Sequence, residues 1–148
     1  MQLSDHLSAE NVVLDLAAAS KRELIIKLSD LASKRSGAEA SAISAALTGR
    51  ENLGSTGIGQ GIAIPHAIID GVADCLCLFV RLAKPLDFEA VDEVPVDIVV
   101  LLLSPAVDQK QNLNLLSCIA RRLRNDNVTE AIRSAKTPEE AYILLTQA

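Results

Sequence analysis

The chain has no tryptophan, and one tyrosine and two phenylalanines hold the aromatic content to 2%. A core in this protein must therefore be built from leucine, isoleucine, valine and alanine. There is enough of them: hydrophobic residues make up 49% of the 148 positions, so residues 1-148 are expected to form one domain with a core of its own. Positive charge is also scarce. Fourteen lysines and arginines face nineteen acids, leaving a net charge of -5, which argues against a nucleic-acid-binding surface. No apolar run approaches the roughly 18 residues of a membrane span, so membrane insertion is not expected. The first residues, Met-Gln-Leu-Ser-Asp-His, lack a basic segment followed by an apolar one and do not read as a signal peptide. Cysteine is limited to Cys75, Cys77 and Cys118. An odd number without a framework points to reduced thiols and a cytoplasmic location. Cys75 and Cys77 alternate in an apolar run and should share one strand face as packing groups. Two ligands with no histidine nearby in sequence do not make a tetrahedral metal site.

Helical and extended patterns alternate along the chain. Val12 to Leu16 is β-branched and apolar enough for a first strand. Ser20-Lys-Arg-Glu23 is a capping box, followed by Leu24, Ile25, Leu28, Leu31 and Ala32 at helical spacing up to about Ser36, with Gly37 as the stop. A second helix is expected over Ala40 to Glu51, with Ile43, Ala46 and Leu47 inward and Arg50 in its last turn. Asp70-Gly71 marks a turn, Cys75 to Leu82 a strand, and Lys84 to Phe88 a connection. Val96 to Leu103 is an unbroken apolar run suited to a central strand covered on both faces. Gln109 to Asn125 reads as a helix capped by Asp108, with Leu113, Leu116, Ala120 and Leu123 as its buried stripe. Arg121, Arg122 and Arg124 near its end either balance the helix dipole or form a basic patch for an acidic partner. A short helix over Thr129 to Ser134 and a last one opened by Thr137-Pro138-Glu139-Glu140 complete the pattern. The expected fold is α/β, with a central sheet and helices packed on it. His6, in the N-terminal segment, is read as a surface residue.

Four of the seven glycines fall within Arg50 to His66, Arg-Glu-Asn-Leu-Gly-Ser-Thr-Gly-Ile-Gly-Gln-Gly-Ile-Ala-Ile-Pro-His. That density suits a tight loop with backbone amides near a ligand. Ile62, Ala63 and Ile64 read as a short buried strand, and Pro65 ends it for want of an N–H donor. His66 is thus delivered at a strand end. A nucleotide loop is excluded on specifics. Gly61 is followed by Ile62 rather than Lys-Ser/Thr, and the spacing of Gly57, Gly59 and Gly61 is not GxGxxG and leads into a strand. What remains is a set of amides, the hydroxyls of Ser55 and Thr56, the permanent cation of Arg50, and an imidazole able to act as a nucleophile. Such a set suffices for phosphoryl transfer, which needs mainly positioning and charge stabilisation, without a metal. Each member also has a structural reading: His66 as a packed strand end, Arg50 paired with Glu51, Ser55 and Thr56 as turn caps.

The whole stretch resembles the fingerprint of the phosphotransferase-system (PTS) enzyme IIA proteins of the fructose/mannitol type, and most closely their nitrogen-regulatory branch. The resemblance runs through nearly the whole chain. It implies a mixed β-sheet flanked by α-helices. It implies phosphorylation of His66 on the ring nitrogen remote from the backbone (tele), by a phosphocarrier of the HPr kind. Arg50, Ser55, Thr56 and loop amides would hold the phosphoryl oxygens, with no cofactor. The family usually carries a second histidine, followed by leucine, early in the helix after the last long strand. Here that position is Asn112, in Lys110-Gln-Asn-Leu113. Asparagine can hydrogen bond there but cannot carry charge or relay a proton. The resulting expectation is a phosphoryl carrier with a regulatory role. The alternatives are a sugar-specific IIA that passes phosphate to a IIB domain, or a binding module that is not phosphorylated.

Overall fold

In the computed structural model, residues 3–147 are described, with Asp108 and Gln109 described for their backbone only. The elements are β1 (Val12–Leu16), α1 (Lys21–Ser36), α2 (Ala40–Glu51), β2 (Gly57–Gly59), β3 (Ile62–Ala63), β4 (His66–Ile68), β5 (Leu76–Leu86), β6 (Val96–Ser104), α3 (Gln109–Leu123), α4 (Asp126–Ser134) and α5 (Pro138–Thr146). The apolar run Val96–Ser104 becomes the strand on which the sheet is built. β5 lies antiparallel on one side of it, with β1 parallel beyond. Its other side is shared: β3 pairs with its first half and β4 with its second, both parallel, and β2 closes the edge antiparallel to β3. The sheet is therefore mixed, as expected.

Strand periodicity divides the core into two. Val99, Leu101 and Leu103 of β6 point into a cluster with Leu24, Leu28, Ile43 and Leu47 of α1 and α2. Ile98, Val100 and Leu102 point the other way, against Leu115, Ile119 and Leu123 of α3 and Ile132 and Leu145 of α4 and α5. Covering both faces explains why β6 is apolar at nearly every position rather than at alternate ones. The capping boxes form with one variation. Ser20 Oγ and Thr137 Oγ1 accept the N–H groups of Glu23 and Glu140, each at 3.1 Å. The carboxylates of Glu23 and Glu140 reach back one residue beyond the cap, to the N–H groups of Ala19 and Lys136, each at 3.2 Å.

Several expectations need correction. β5 continues through Lys84 and Pro85 to Leu86, where a connection was expected; its pairing is irregular between Arg81 and Leu86, and such an irregularity accommodates a proline. α3 ends at Leu123, and α4 starts earlier than expected, at Asp126, because the Asn125 side chain caps it. The buried stripe of α3 ends on Leu123 as expected and includes Leu116 and Ala120 at its edge, but it is centred on Leu115 and Ile119, and Leu113 is 64% exposed. The cap assigned to Asp108 involves a side chain outside the described ones. His6 is half-buried, its Nε2 lying 3.4 Å from the Gln111 side chain. Cys75 precedes β5 but packs in the same cluster as Cys77. Burial pushes the Cys77 thiol up to about 12, with a smaller contribution from neighbouring Cys118, so it stays an uncharged packing group. Among the described residues no helix is long and apolar enough to cross a membrane, and no cluster of side chains suits a metal.

Candidate functional site

His66 opens β4, and the register of that strand decides which way it faces. His66 pairs with Leu102 of β6, so both point toward α3, while the next residue, Ala67, joins the α1–α2 core. The break between β3 and β4 is built by Ile64 and Pro65. Ile64 donates its N–H to the Thr56 carbonyl at 3.0 Å, and Pro65 has no N–H but accepts from Leu102 at 3.0 Å. The Ile64 carbonyl is left free to turn toward the imidazole, and His66 Nδ1 lies 2.8 Å from it. A carbonyl oxygen only accepts, so Nδ1 carries the hydrogen and Nε2 keeps its lone pair.

The glycine stretch is not an open loop. Gly57–Gly59 is a strand, and Gln60 (φ 58°) with Gly61 (φ 82°) forms the left-handed pair that closes a tight β2–β3 hairpin. Asp92 accepts the Gln60 N–H at 2.8 Å and the Val94 N–H at 3.1 Å, and these bonds hold its carboxyl below the usual range. Arg133 of α4 donates to the Gln60 carbonyl at 2.8 Å and to both oxygens of Asp97 at 2.9 and 3.1 Å. Gly61 sits under this clasp. A Cβ there would lie 2.8 Å from Arg133 Nη2 and 3.3 Å from the Pro95 carbonyl. Gly61→Ala therefore combines left-handed strain with a displaced Arg133, and is expected to cost about 2–3 kcal/mol. Urea unfolding measures it; an unchanged midpoint would show that Arg133 does not clamp the hairpin.

The turn before β2 is tied down by Glu51, which the sequence reading considered only as a partner for Arg50. The Glu51 carboxylate is only 5% exposed and pairs with Lys21 Nζ of α1 at 2.8 Å. Its oxygens accept the Thr56 N–H at 3.2 and 3.3 Å, and the Thr56 hydroxyl donates to it as well. Lys21 also lies 4.5 Å above the Phe88 ring. Ser55 Oγ donates to the Phe88 carbonyl at 2.8 Å and accepts the Gly57 N–H at 3.1 Å. Both hydroxyls and two of the loop amides are thus engaged within the protein. Arg50 does not pair with Glu51; it donates to the Gly54 carbonyl at 3.0 Å.

His66, Arg50, Ser55 and Thr56 nevertheless line one cleft of about 430 Å³. Its far wall is α3, through Leu116, Ser117, Ala120 and Arg121, with Arg124 in the turn just past the helix end. Arg122, the arginine between them, turns away and donates to the Leu144 carbonyl of α5. Arg122 thus serves the end of α5 rather than that of its own helix, while Arg121 and Arg124 join Arg50 around the histidine. Among the described residues no carboxylate lines this cleft. Asn112 lies apart from the lining, buried, with its Nδ2 donating to Ser104 Oγ at the end of β6. A larger cleft of about 850 Å³ lies behind the same turn, between α1 and α2, but neither histidine nor cysteine lines it. The smaller cleft has what a group transfer needs: a nucleophilic nitrogen of fixed tautomer and three permanent cations.

The family described as phosphoenolpyruvate-dependent sugar phosphotransferase system, EIIA 2, matches residues 5–148. The nitrogen regulatory protein of Klebsiella oxytoca is 37% identical, aligned over 100% of this chain and 92% of its own length. Among solved structures, the nitrogen regulatory protein IIA-Ntr of Neisseria meningitidis superposes with a TM-score of 0.92 at 32% identity, covering 97% of this chain and 99% of that one. IIA mannitol of Escherichia coli gives 0.78 at 25% identity, covering 94% and 98%.

Proposed function

The chain belongs to the EIIA 2 family of the phosphoenolpyruvate-dependent sugar phosphotransferase system, and from that premise we propose that it carries a phosphoryl group on Nε2 of His66, received from an HPr-like phosphocarrier, with a regulatory role. The observation that supports the reading best is the bond from His66 Nδ1 to the Ile64 carbonyl, which leaves Nε2 as the ring nitrogen with a free lone pair. In the transfer, Nε2 attacks the phosphorus of the donor's phosphohistidine. The donor's N–P bond breaks, its ring leaves with the electron pair, and a new N–P bond forms on Nε2. His66 keeps its Nδ1 hydrogen, so the ring gains positive charge, and the Ile64 carbonyl oxygen faces that charge. The guanidiniums of Arg50, Arg121 and Arg124 offset the negative charge of the phosphoryl oxygens. The engaged hydroxyls of Ser55 and Thr56 shape the turn, and Asn112 supports the end of β6 through Ser104. The regulatory reading rests on relatives named nitrogen regulatory protein.

The test is phosphorylation from phosphoenolpyruvate through enzyme I and an HPr-like carrier, followed by intact mass. Wild type should gain one phosphoryl group. Uptake by Asn112→His but not by wild type would mean that the site has lost its chemistry and the protein acts by binding alone. Onward transfer to a IIB protein would move the destination from regulation to transport.

A further inference from the structure

The larger cleft, of about 850 Å³, is of the size of small-molecule sites and is built differently from the one around His66. The hydroxyls of the turn beside it, Ser55 and Thr56, are given to internal bonds. Five polar side chains of its lining are not. Arg22, Ser44, Thr48, Asn52 and Glu89 make no side-chain hydrogen bond or ion pair among the described residues. Ser44, Thr48 and Asn52 follow at intervals of four and form one stripe along α2 to its end, while Arg22 stands on α1. Glu89 is held at φ 57°, a left-handed conformation that glutamate rarely adopts, and the Asp87 carboxylate accepts its N–H at 2.9 Å. Strain of this kind gathers at binding sites. Lys21 and Glu51 neutralise each other as an ion pair, so the cleft keeps one uncompensated cation, Arg22, and one uncompensated anion, Glu89. Ile26 and Leu53, both exposed, add apolar surface beside them. We propose that this cleft binds a free α-amino acid with a neutral aliphatic side chain. Arg22 pairs with its carboxylate and Glu89 accepts from its ammonium. The Ser44 and Thr48 hydroxyls and the Asn52 amide take up the remaining hydrogen bonds, and Ile26 and Leu53 cover the side chain. A simple anion would satisfy Arg22 and leave Glu89 without a partner; a simple amine would do the reverse. Solvated helix-surface charge accounts for Arg22 alone, but not for opposite charges with a polar stripe in one concave site. The site does not depend on phosphorylation of His66, though it adjoins that chemistry: Ser55 lines both clefts, and Glu51 of the larger one holds the Thr56 turn.

The experiment titrates L-leucine into the unmodified, nitrogen-15-labelled full chain and follows the backbone amide spectrum, which reports affinity and place together. Saturable shifts should fall on Arg22, Thr48, Asn52 and Leu53 and spare Arg121 and Arg124. A Kd of about 0.1–1 mM is expected for so small a ligand in an open cleft. L-Leucinamide, which lacks the carboxylate, and 4-methylpentanoate, which lacks the ammonium, should each bind about tenfold more weakly or worse. Arg22→Gln and Glu89→Gln should each weaken L-leucine binding by a similar factor. Both variants change exposed side chains, and the same spectrum shows that they remain folded. Absence of saturable shifts, shifts centred on the histidine cleft, equal binding of either analogue, or indifference to either substitution would each overturn the proposal. No phosphoryl donor is present, so failure of the carrier reaction would count against the proposed phosphorylation alone, and failure of this titration against the amino-acid site alone.

Discussion

His66→Gln is expected to abolish phosphoryl uptake while leaving the thermal midpoint nearly unchanged. The loss should be complete because, among the described residues, the other side chains lining the cleft are arginines, apolar groups and the hydroxyls of Ser55, Thr56 and Ser117, and an unactivated hydroxyl is a far weaker nucleophile than imidazole. The Thr56 hydroxyl is given to Glu51, and the Ser55 hydroxyl to the Phe88 carbonyl. The stability effect should be small because His66 is half-buried and makes one bond, from Nδ1 to the Ile64 carbonyl. Losing such a bond costs about 1 kcal/mol, and the glutamine amide can replace part of it. Intact mass and a thermal melt on the same sample separate the two effects. The chemistry of the adduct adds a control. A phosphoryl group on imidazole nitrogen is lost in mild acid and kept in alkali, whereas one on Ser55 or Thr56 would survive acid. Acid-stable label on the variant would place the acceptor on a hydroxyl, that of Ser55, Thr56 or Ser117, instead of the histidine.

Replacing Glu51 by alanine should be the most damaging change near the site that touches neither His66 nor an arginine. It removes the counter-ion of Lys21, whose side chain is 18% exposed, and the acceptor for both the N–H and the hydroxyl of Thr56. The comparison within α1 sets the scale. Lys27 and Glu23 form an exposed i, i+4 pair, which solvent screens to a minor contribution. Breaking the nearly buried Lys21–Glu51 pair from one side should cost about 3 kcal/mol, because an uncompensated ammonium is left over the Phe88 ring. The rate of uptake should fall about tenfold as the turn before β2 loses its anchor. Glu51→Gln separates the two functions of the carboxylate. It keeps an acceptor for Thr56 and removes the charge that Lys21 needs. Full recovery of the rate with stability still reduced would assign turn geometry to the Thr56 bonds. If neither the urea midpoint nor the rate moves in Glu51→Ala, the carboxylate does not hold the turn.

What could be read in the sequence was local. The cap of α1 at Ser20, its stop at Gly37 and the apolar run of β6 are each specified by residues a few positions apart, and each appears as expected. Where two local patterns competed, the reading failed. Leu113, Leu115 and Leu116 fit two helical phases equally well, and only packing against β6 selects the one that buries Leu115 and exposes Leu113. β2 was missed because Gly57–Gly59 has no side-chain pattern; it becomes a strand through Gln60 and Gly61 and the distant clasp of Arg133. Glu51 was missed for a related reason. Its neighbour in sequence is Arg50, but its partner is Lys21 on another helix. The gathering of Arg50, Ser55, Thr56 and His66 around one cleft followed from the motif. The arrival of Arg121 and Arg124 opposite them depends on how α3 lies across the sheet, which no short stretch encodes.

The shared pairing of β3 and β4 with a single strand has a consequence for how this chain tolerates change in length. Side chains alternate faces, so shifting β4 along β6 by one residue would turn His66 into the α1–α2 core and bring Ala67 out into the cleft. The Ile64-Pro65 link has no slack to absorb an added or missing residue, since both of its carbonyls and its one N–H are committed. Surface turns such as Asp70-Gly71 can lengthen or shorten freely. The segment from Thr56 to His66 behaves as a ruler of fixed length, and a single-residue insertion or deletion within it should erase activity as thoroughly as removing the histidine.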